Sequence, residues 1–170
     1  HVSFTAEPGE TVALVGPSGG GKTTAASLIP RFWDADTGTV EVGGVDVRDY
    51  DVETLRNEVA LVLQKNVLFS GTIRENLRWG SADASDEALW DALRAAQADG
   101  VVRDKKGQLD AEVEPGGRNF SGGQRQRLTI ARALVRKPEL LILDDSASAL
   151  DFATDAALRK ALARLPWNPT

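Results

Sequence analysis

Short apolar runs alternate along the chain with segments whose apolar residues recur at helical spacing. The runs at residues 11–15, 59–63 and 140–143 are bounded by turn residues or by charged ones, which predicts buried strands. Helical spacing predicts helices at residues 22–31, 85–97, 124–136 and 152–165, the second capped by Ser85 and the last stopped by Pro166. This alternation predicts an α/β fold with a mainly parallel sheet.

Two further segments depart from that alternation. Four valines surround Gly43-Gly44, and this pattern predicts a small antiparallel β region at residues 38–48. Residues 66–120 contain the predicted helix that begins after Ser85, and we expect them to form a helical subdomain. Within it, residues 100–117 are polar and interrupted by glycines, which predicts a long loop.

Composition restricts the function without identifying it. A chain of 170 residues with 42% hydrophobic content is long enough for one domain. The net charge of −5 argues against binding to nucleic acid or anionic lipid. The absence of cysteine, with His1 as the one histidine, excludes disulfides, thiolate or histidine metal sites and a histidine triad. Without a bilayer-length apolar run or a signal peptide, we expect a soluble chain.

The strongest chemical signal lies between the first predicted strand and the first predicted helix. Residues 16–23 match the phosphate-loop pattern, in which glycines let several backbone N–H groups converge on an anion. Lys22 is expected to reach the β- and γ-phosphates of ATP, and the Thr23 hydroxyl to ligate Mg²⁺. The predicted nucleotide-binding residues here are Gly16, Pro17, Ser18, Gly19, Gly20, Gly21, Lys22, Thr23 and Thr24.

An acidic pair follows the apolar strand at residues 140–143. In a phosphate-loop protein the first carboxylate after such a strand holds Mg²⁺, usually through water. Asp144 is therefore the predicted metal partner of Thr23.

A third motif identifies a family. Residues 119–127 read Asn-Phe-Ser-Gly-Gly-Gln-Arg-Gln-Arg, in which Ser121 is a good helix N-cap and the two glycines leave N–H groups open to a phosphate. This segment resembles the signature of ATP-binding cassette (ABC) ATPases, with Phe120 where leucine is commonest. The resemblance covers nearly the whole chain and implies that residues 1–170 form part of an ABC nucleotide-binding domain. It implies a P-loop NTPase (RecA-like) core, ATP and Mg²⁺ as ligands, and nucleotide contacts from Ser121, Gly122, Gly123 and Gln124.

The same resemblance assigns roles to further residues. Gln64 matches the glutamine that meets both Mg²⁺ and the attacking water, so it is a predicted catalytic, nucleotide-binding and metal residue. Residues 148–151 match the loop that crosses to a partner domain. Residues 67–77 are similar to the exporter branch, in which residues 64–121 would pack against the coupling helices of a transmembrane domain, and Glu112 lies near a coupling-loop position. The expected location is the cytoplasmic face of the cell membrane.

One departure from the family pattern affects catalysis. Asp145 stands where the family usually carries the glutamate that polarises water, so its carboxylate is about 1.5 Å shorter in reach. With Lys22 and Gln64 it completes the predicted catalytic set, but hydrolysis is expected to be slow. Aspartate here resembles the degenerate half of heterodimeric exporters. We therefore expect a second nucleotide-binding domain, in a heterodimer rather than a homodimer, to supply the competent glutamate.

Two usual family contacts have no counterpart in these residues. The family's switch histidine would lie beyond Thr170, and His1 cannot take its role. The aromatic residue that stacks on adenine would lie before residue 1. We interpret Phe4, Phe32 and Trp33 as core or interface residues.

Three functions fit these observations. The first is the ATP-hydrolysing motor of an exporter. The second is a soluble cassette ATPase of DNA repair or translation, although the 56 residues between Gln64 and Ser121 leave no room for a long coiled-coil arm. The third is a non-hydrolysing nucleotide-binding module, which Asp145 keeps open.

Overall fold

The computed structural model describes residues 2–145 and 149–170, so His1 and Ser148 lie outside the described part. Its helices are α1 (Lys22–Leu28), α2 (Val52–Glu58), α3 (Ile73–Arg78), α4 (Asp86–Ala95), α5 (Asp99–Arg103), α6 (Gly122–Val135) and α7 (Phe152–Leu162). Its strands are β1 (Glu41–Val42), β2 (Val45–Asp46), β3 (Val59–Val62), β4 (Gly71–Thr72), β5 (Glu112–Val113) and β6 (Leu140–Leu143).

A parallel pair of strands carries the centre of the fold. β3 pairs with β6 so that Val59 lies opposite Leu140 and Val62 opposite Leu143. Both strands were predicted from their apolar runs, and both predictions are confirmed. β6 is half-buried rather than buried along its whole length. On its other edge, Leu141 N–H donates to the Thr170 carbonyl at 2.8 Å.

The predicted strand at residues 11–15 does not form. The described backbone there joins no sheet, and Val15 is 93% exposed. An apolar run becomes a buried strand only where another strand pairs with it and a layer covers it. β6 pairs with β3 on one edge and bonds Thr170 on the other, so neither edge of β6 is bonded to residues 11–15.

The small antiparallel region is present. β1 and β2 form a hairpin in which Val42 lies opposite Val45, as the glycine pair predicts. The hairpin packs against α2 through a small apolar cluster centred on Val47, Leu55 and Val59. The sequence pattern did not predict α2. The side chain of Asp51 caps α2 by accepting from the Thr54 N–H at 2.9 Å.

The largest core lies between helices. α3 and α4 pack on α6, and fully buried leucines such as Leu77, Leu93 and Leu134 fill the contact. α6 begins at Gly122, two residues before its predicted start, because Ser121 caps it. α7 ends at Leu162, three residues before its predicted end and ahead of Pro166.

The expected loop at residues 100–117 contains more regular structure than its composition indicates. It includes most of α5, two 3₁₀ turns (Gln108–Asp110 and Pro115–Gly117), and β5, which pairs antiparallel with β4. Buried apolar side chains at Val102, Leu109 and Val113 anchor these short elements to the helical core. The glycines and polar residues of this segment predicted a loop, and its widely spaced apolar residues gave no periodic signal for these short elements.

The interpretation of three aromatic residues as core is wrong. Phe4, Phe32 and Trp33 are 50%, 46% and 70% exposed. Phe32 lies beneath the Arg56 guanidinium, which is 5.1 Å from the ring centroid, within range of a cation–π contact. A place in an interface stays a prediction for these residues.

Candidate functional site

The phosphate loop has a backbone that only glycine adopts readily. Gly19 and Gly21 lie in the left-handed region, with φ of 76° and 83°. A Cβ on Gly20 would lie 3.0 Å from the Pro17 carbonyl oxygen. Gly21 immediately precedes α1 and offers no side chain to cap it, so the first N–H groups of the helix are left for another acceptor.

Lys22 lies across the loop that precedes it. Its ammonium group donates to the carbonyls of Gly16 and Pro17, both at 2.9 Å. The loop itself is exposed on both sides of this half-buried lysine. These contacts keep a positive charge at the loop, where a polyphosphate would need it.

Thr23 and Asp144 meet although 121 positions separate them. The Thr23 hydroxyl, in the first turn of α1, is 2.9 and 3.1 Å from the two carboxylate oxygens of Asp144. The Asp144 N–H donates to the Val62 carbonyl at 2.9 Å, which extends the β3–β6 ladder by one residue. Hydroxyl and carboxylate oxygens are the ligands that Mg²⁺ prefers, so this pair fits that ion.

Gln64 and Asp145 form a second contact beside the first. The Gln64 amide nitrogen donates to a carboxylate oxygen of Asp145 at 2.7 Å. Both residues follow the carboxyl ends of paired parallel strands, which places them at one edge of the sheet. Asp145 has a φ of 48°, a left-handed conformation that aspartate tolerates better than longer residues do.

The signature residues form the N-terminus of α6. Ser121 and Gln124 cap each other: the Ser121 hydroxyl accepts from the Gln124 N–H at 3.2 Å, and the Gln124 side chain accepts from the Ser121 N–H at 3.0 Å. Neither side chain is hydrogen-bonded to the phosphate loop within the described residues. A Cβ on Gly123 would lie 2.8 Å from the Ala149 carbonyl oxygen, so the loop before α7 approaches the signature backbone closely.

The remaining predicted residues occupy exposed positions. Thr24 lies on α1 directly after Thr23 and is exposed. Asp151 caps α7 by accepting from the Thr154 N–H at 2.9 Å, and this bond lowers the pKa of its carboxyl group. Glu112 is exposed in β5 and its carbonyl accepts from the Asn119 side chain at 2.8 Å.

The structure contains a groove that the sequence did not reveal. It lies between β3 on one side and α6 with the end of α3, here called the helical layer, on the other. Three exposed aromatics line it, and Phe69 stacks on Trp79 with ring centroids 4.6 Å apart. The side chains that line it include the cations Arg56, Lys65, Arg132 and Arg136 but no acid. The aromatic and basic residues are spread over 105 positions, from Phe32 to Arg136, which hid the groove from pattern reading.

Within the described part of the chain, the cations of this groove have no acidic partners. The arginines bond backbone carbonyls instead: Arg132 reaches Val67 at 3.1 Å and Arg136 reaches Gly80 at 3.1 Å. Between residues 2–145 and 149–170, no ion pair includes any of the four. Burial lowers the pKa of the Arg132 guanidinium, which is consistent with an uncompensated charge.

The described residues lack two kinds of feature. None of their helices is both long and apolar enough to cross a bilayer. The same residues contain no group of three acidic or histidine side chains arranged for a metal ion.

Comparison with known proteins gives consistent likenesses. The profile of the ABC transporter family matches residues 1–148. An ABC transporter ATP-binding protein of Mycobacterium bovis is 46% identical over 172 residues and 99% of this chain. An ATP-dependent lipid A-core flippase of Desulfotalea psychrophila is 42% identical over 170 residues and 100% of this chain. A β-(1→2)glucan export ATP-binding/permease protein of Nitrobacter winogradskyi is 45% identical over 162 residues and 95% of this chain.

A solved structure agrees with these relatives. A bacterial Atm1-family ABC exporter with ATP bound superposes with a TM-score of 0.93 and 34% identity, over 98% of this chain and 29% of the exporter chain. The likeness confirms the fold class predicted from the sequence. The chain spans between 27% and 30% of the length of the three relatives.

Proposed function

Because this chain belongs to the ABC transporter family, we propose that it is the ATP-binding and ATP-hydrolysing motor domain of an exporter. The observation that carries the proposal is the contact between Thr23 and Asp144 beside the phosphate loop. It joins a nucleotide-binding loop to an acidic residue from a distant strand, as phosphoryl-transfer sites require. The chain would lie at the cytoplasmic face of the membrane.

Binding of ATP would use the backbone more than side chains. The N–H groups at the start of α1 would surround the β-phosphate, because Gly21 leaves them without a side-chain cap. Lys22 would exchange its bonds to the Gly16 and Pro17 carbonyls for the β- and γ-phosphates. Thr23, Asp144 and Gln64 would hold Mg²⁺, which would supply positive charge to the phosphate oxygens.

Hydrolysis would depend on the contact between Gln64 and Asp145. The Asp145 carboxylate would accept the proton of the attacking water. Gln64 would orient both this carboxylate and the water. A carboxylate displaced by about 1 Å loses on the order of a hundredfold in rate. We therefore infer a slow site here and a faster one completed by the glutamate of a partner domain, in a heterodimer.

The signature would serve that partner's nucleotide. Ser121, which is exposed, and Gln124 bond each other, and neither side chain is hydrogen-bonded to this chain's own phosphate loop within the described residues. In a head-to-tail dimer, Ser121, Gly122, Gly123 and Gln124 would contact ATP held by the second domain.

The membrane partner would occupy the groove between β3 and the helical layer. Aromatic side chains at Phe69 and Trp79 offer apolar contact, and four cations lack acidic partners within the described residues. Charge complementarity therefore favours an apolar segment that carries carboxylates. We infer that a cytoplasmic segment of the transmembrane domain supplies it.

A second candidate is a module that binds ATP without hydrolysing it. Asp145 supports this alternative, because no described residue supplies a longer carboxylate in contact with Gln64. A soluble ATPase of DNA repair or translation has less support, since the similar proteins whose names state an activity are a flippase and exporters.

The test is ATP hydrolysis and Mg·ATP affinity in the full-length protein together with its partner chain. Lys22→Ala is expected to abolish nucleotide binding at this site, and Asp144→Asn to weaken its dependence on Mg²⁺. Lys160→Ala, at an exposed position on α7, is the matched control. Unchanged ATP affinity in Lys22→Ala would contradict the proposed site, and ATP binding without turnover in every dimer would favour the non-hydrolysing module.

A further inference from the structure

A lysine outside the known motifs contacts the segment that leads into the signature. Lys105 follows α5 and is half-buried. Its ammonium nitrogen lies 4.5 Å from the centroid of the Phe120 ring and donates to the Asn119 carbonyl at 3.1 Å. One cation therefore contacts the two residues that directly precede Ser121.

The ring that Lys105 contacts is fixed in the core. Phe120 is 3% exposed and belongs to the main apolar cluster. Its N–H donates to the Gly117 carbonyl at 3.0 Å, and its carbonyl accepts from Arg125 at 2.7 Å. The backbone is thus held on both sides, and the aromatic face is left for the ammonium group.

The ammonium group of Lys105 has no acidic partner in the described part of the chain. Among residues 2–145 and 149–170, it forms no ion pair, so its electrostatic partners are the π-face and one carbonyl dipole. Such contacts are stronger when they are partly shielded from water, as this half-buried one is. An aliphatic residue at position 120 would pack there without attracting the cation.

We propose that Lys105 is a positioning residue for the signature, acting through the Phe120 ring. The inference rests on the proposed function, in which Ser121 contacts the nucleotide of a partner domain. Lys105 adds a contact from the end of α5 to the two residues that precede this helix cap, and this contact helps to set where the Ser121 hydroxyl and the first N–H groups of α6 lie. Loss of the cation would misplace these groups without removing any of them.

The experiment compares three variants in the full-length protein assembled with its partner. Lys105→Met keeps the aliphatic stem and removes the charge, and Lys105→Arg keeps a cation that can stack on the ring. Phe120→Leu removes the ring and keeps an apolar side chain. Lys106→Met is the matched control, because Lys106 is adjacent, exposed and not in contact with Phe120.

Turnover and nucleotide affinity separate positioning from folding. Lys105→Met is expected to lower kcat for ATP by about fivefold and to raise KM at the partner's site. Mg·ATP affinity at this chain's own phosphate loop and the melting temperature should stay unchanged. Lys105→Arg should restore most of kcat, and Lys105→Met should have a smaller effect in the Phe120→Leu background.

Ser121→Ala decides which hypothesis fails. If Ser121→Ala lowers kcat while Lys105→Met leaves kcat and KM unchanged, the role of Lys105 is overturned and the proposed function survives. If Ser121→Ala also has no effect, the signature role itself is wrong. Equal loss of kcat and of own-site affinity in Lys105→Met, with a lower melting temperature, would make Lys105 merely structural and would also overturn the inference.

Discussion

Two adjacent carboxylates at the end of β6 have different partners. Asp144 accepts from the Thr23 hydroxyl, whereas Asp145 accepts from the Gln64 amide. Adjacent residues in an extended backbone point in opposite directions, and the left-handed φ of Asp145 changes this relation locally. The two carboxylates therefore reach two neighbouring positions, which under the proposed function would be those of the metal ion and of the attacking water.

Lengthening the second carboxylate is expected to accelerate hydrolysis. Asp145→Glu adds one methylene, about 1.5 Å of reach, and should raise ATP turnover at this site by about ten- to a hundredfold. Single-site turnover of radiolabelled ATP in the assembled dimer measures it. Asp145→Asn is the control, because it keeps the length and removes the base. No increase in Asp145→Glu would count against a slow water-activating role for Asp145.

A buried amide organises the turn before α3. The Asn76 side chain accepts from the Phe69 N–H at 2.8 Å and donates to the carbonyls of Phe69 and Thr72 at 2.8 and 2.9 Å. Because Asn76 is buried, its removal leaves these backbone groups without their partner. The turn places Phe69 in the lining of the groove, so the stability of the turn affects the shape of the groove.

Replacing this amide is expected to destabilise the turn locally. Asn76→Ala should cost about 2 kcal/mol of local opening free energy. Amide hydrogen exchange at residues 69–78 should accelerate by about thirtyfold, since 1.4 kcal/mol corresponds to a factor of ten. Asn57→Ala, at an exposed position on α2, should leave these rates unchanged. Equal rates in both variants would show that the turn does not depend on Asn76.

The cap of α7 should respond to acid. Bonds from the Thr154 N–H and hydroxyl lower the pKa of Asp151 in the folded chain. The stabilisation is therefore complete above the ordinary aspartate pKa of about 3.9 and is lost as the pH falls through the lowered value. Hydrogen exchange of α7 measured below about pH 4 should accelerate in the natural sequence. Asp151→Asn, which keeps an acceptor, should remove this pH dependence.

The sequence correctly predicted those helices and strands whose turn residues, caps or apolar runs match the way they pack in the fold. The Gly43-Gly44 hairpin, the helix capped by Ser85 and the strands at 59–62 and 140–143 all formed. α3 was missed although Thr72 and Glu75 form a capping box that the sequence displays. The strand at 11–15 was predicted in error because an apolar run contains no information about which strand pairs with it.

The site was harder to predict than the motifs that compose it. The motifs were recognised in the sequence from their combination and spacing, but the 2.9 Å contact between Thr23 and Asp144 depends on how α1 meets β6. The contact of Gln64 with Asp145 depends on the parallel register of two strands 81 positions apart. Lys105 lies in no motif, and only the folded chain places it over Phe120.

At the scale of the whole molecule, the basic groove predicts a charge-dependent partner. Lys65→Glu and Arg136→Glu place acids where an acidic segment would dock, and each should reduce transport by about tenfold or more. ATP affinity at the phosphate loop should remain unchanged, which flux and nucleotide binding measured on the same preparation will show. Arg94→Glu, on α4 outside the groove lining, is the control. Normal transport in both groove variants would rule out an acidic partner.

α6 connects the signature to the groove in one continuous helix. Its 14 residues make a helix about 21 Å long, with Ser121 at one end and Arg136 at the other. If Arg136 serves as a pivot, a tilt of about 10° moves Ser121 by about 4 Å. That distance exceeds the range over which a hydrogen bond survives. Angular motion at the groove would thus make or break the proposed contact of Ser121 with a partner's nucleotide, even if every bond within α6 stays intact.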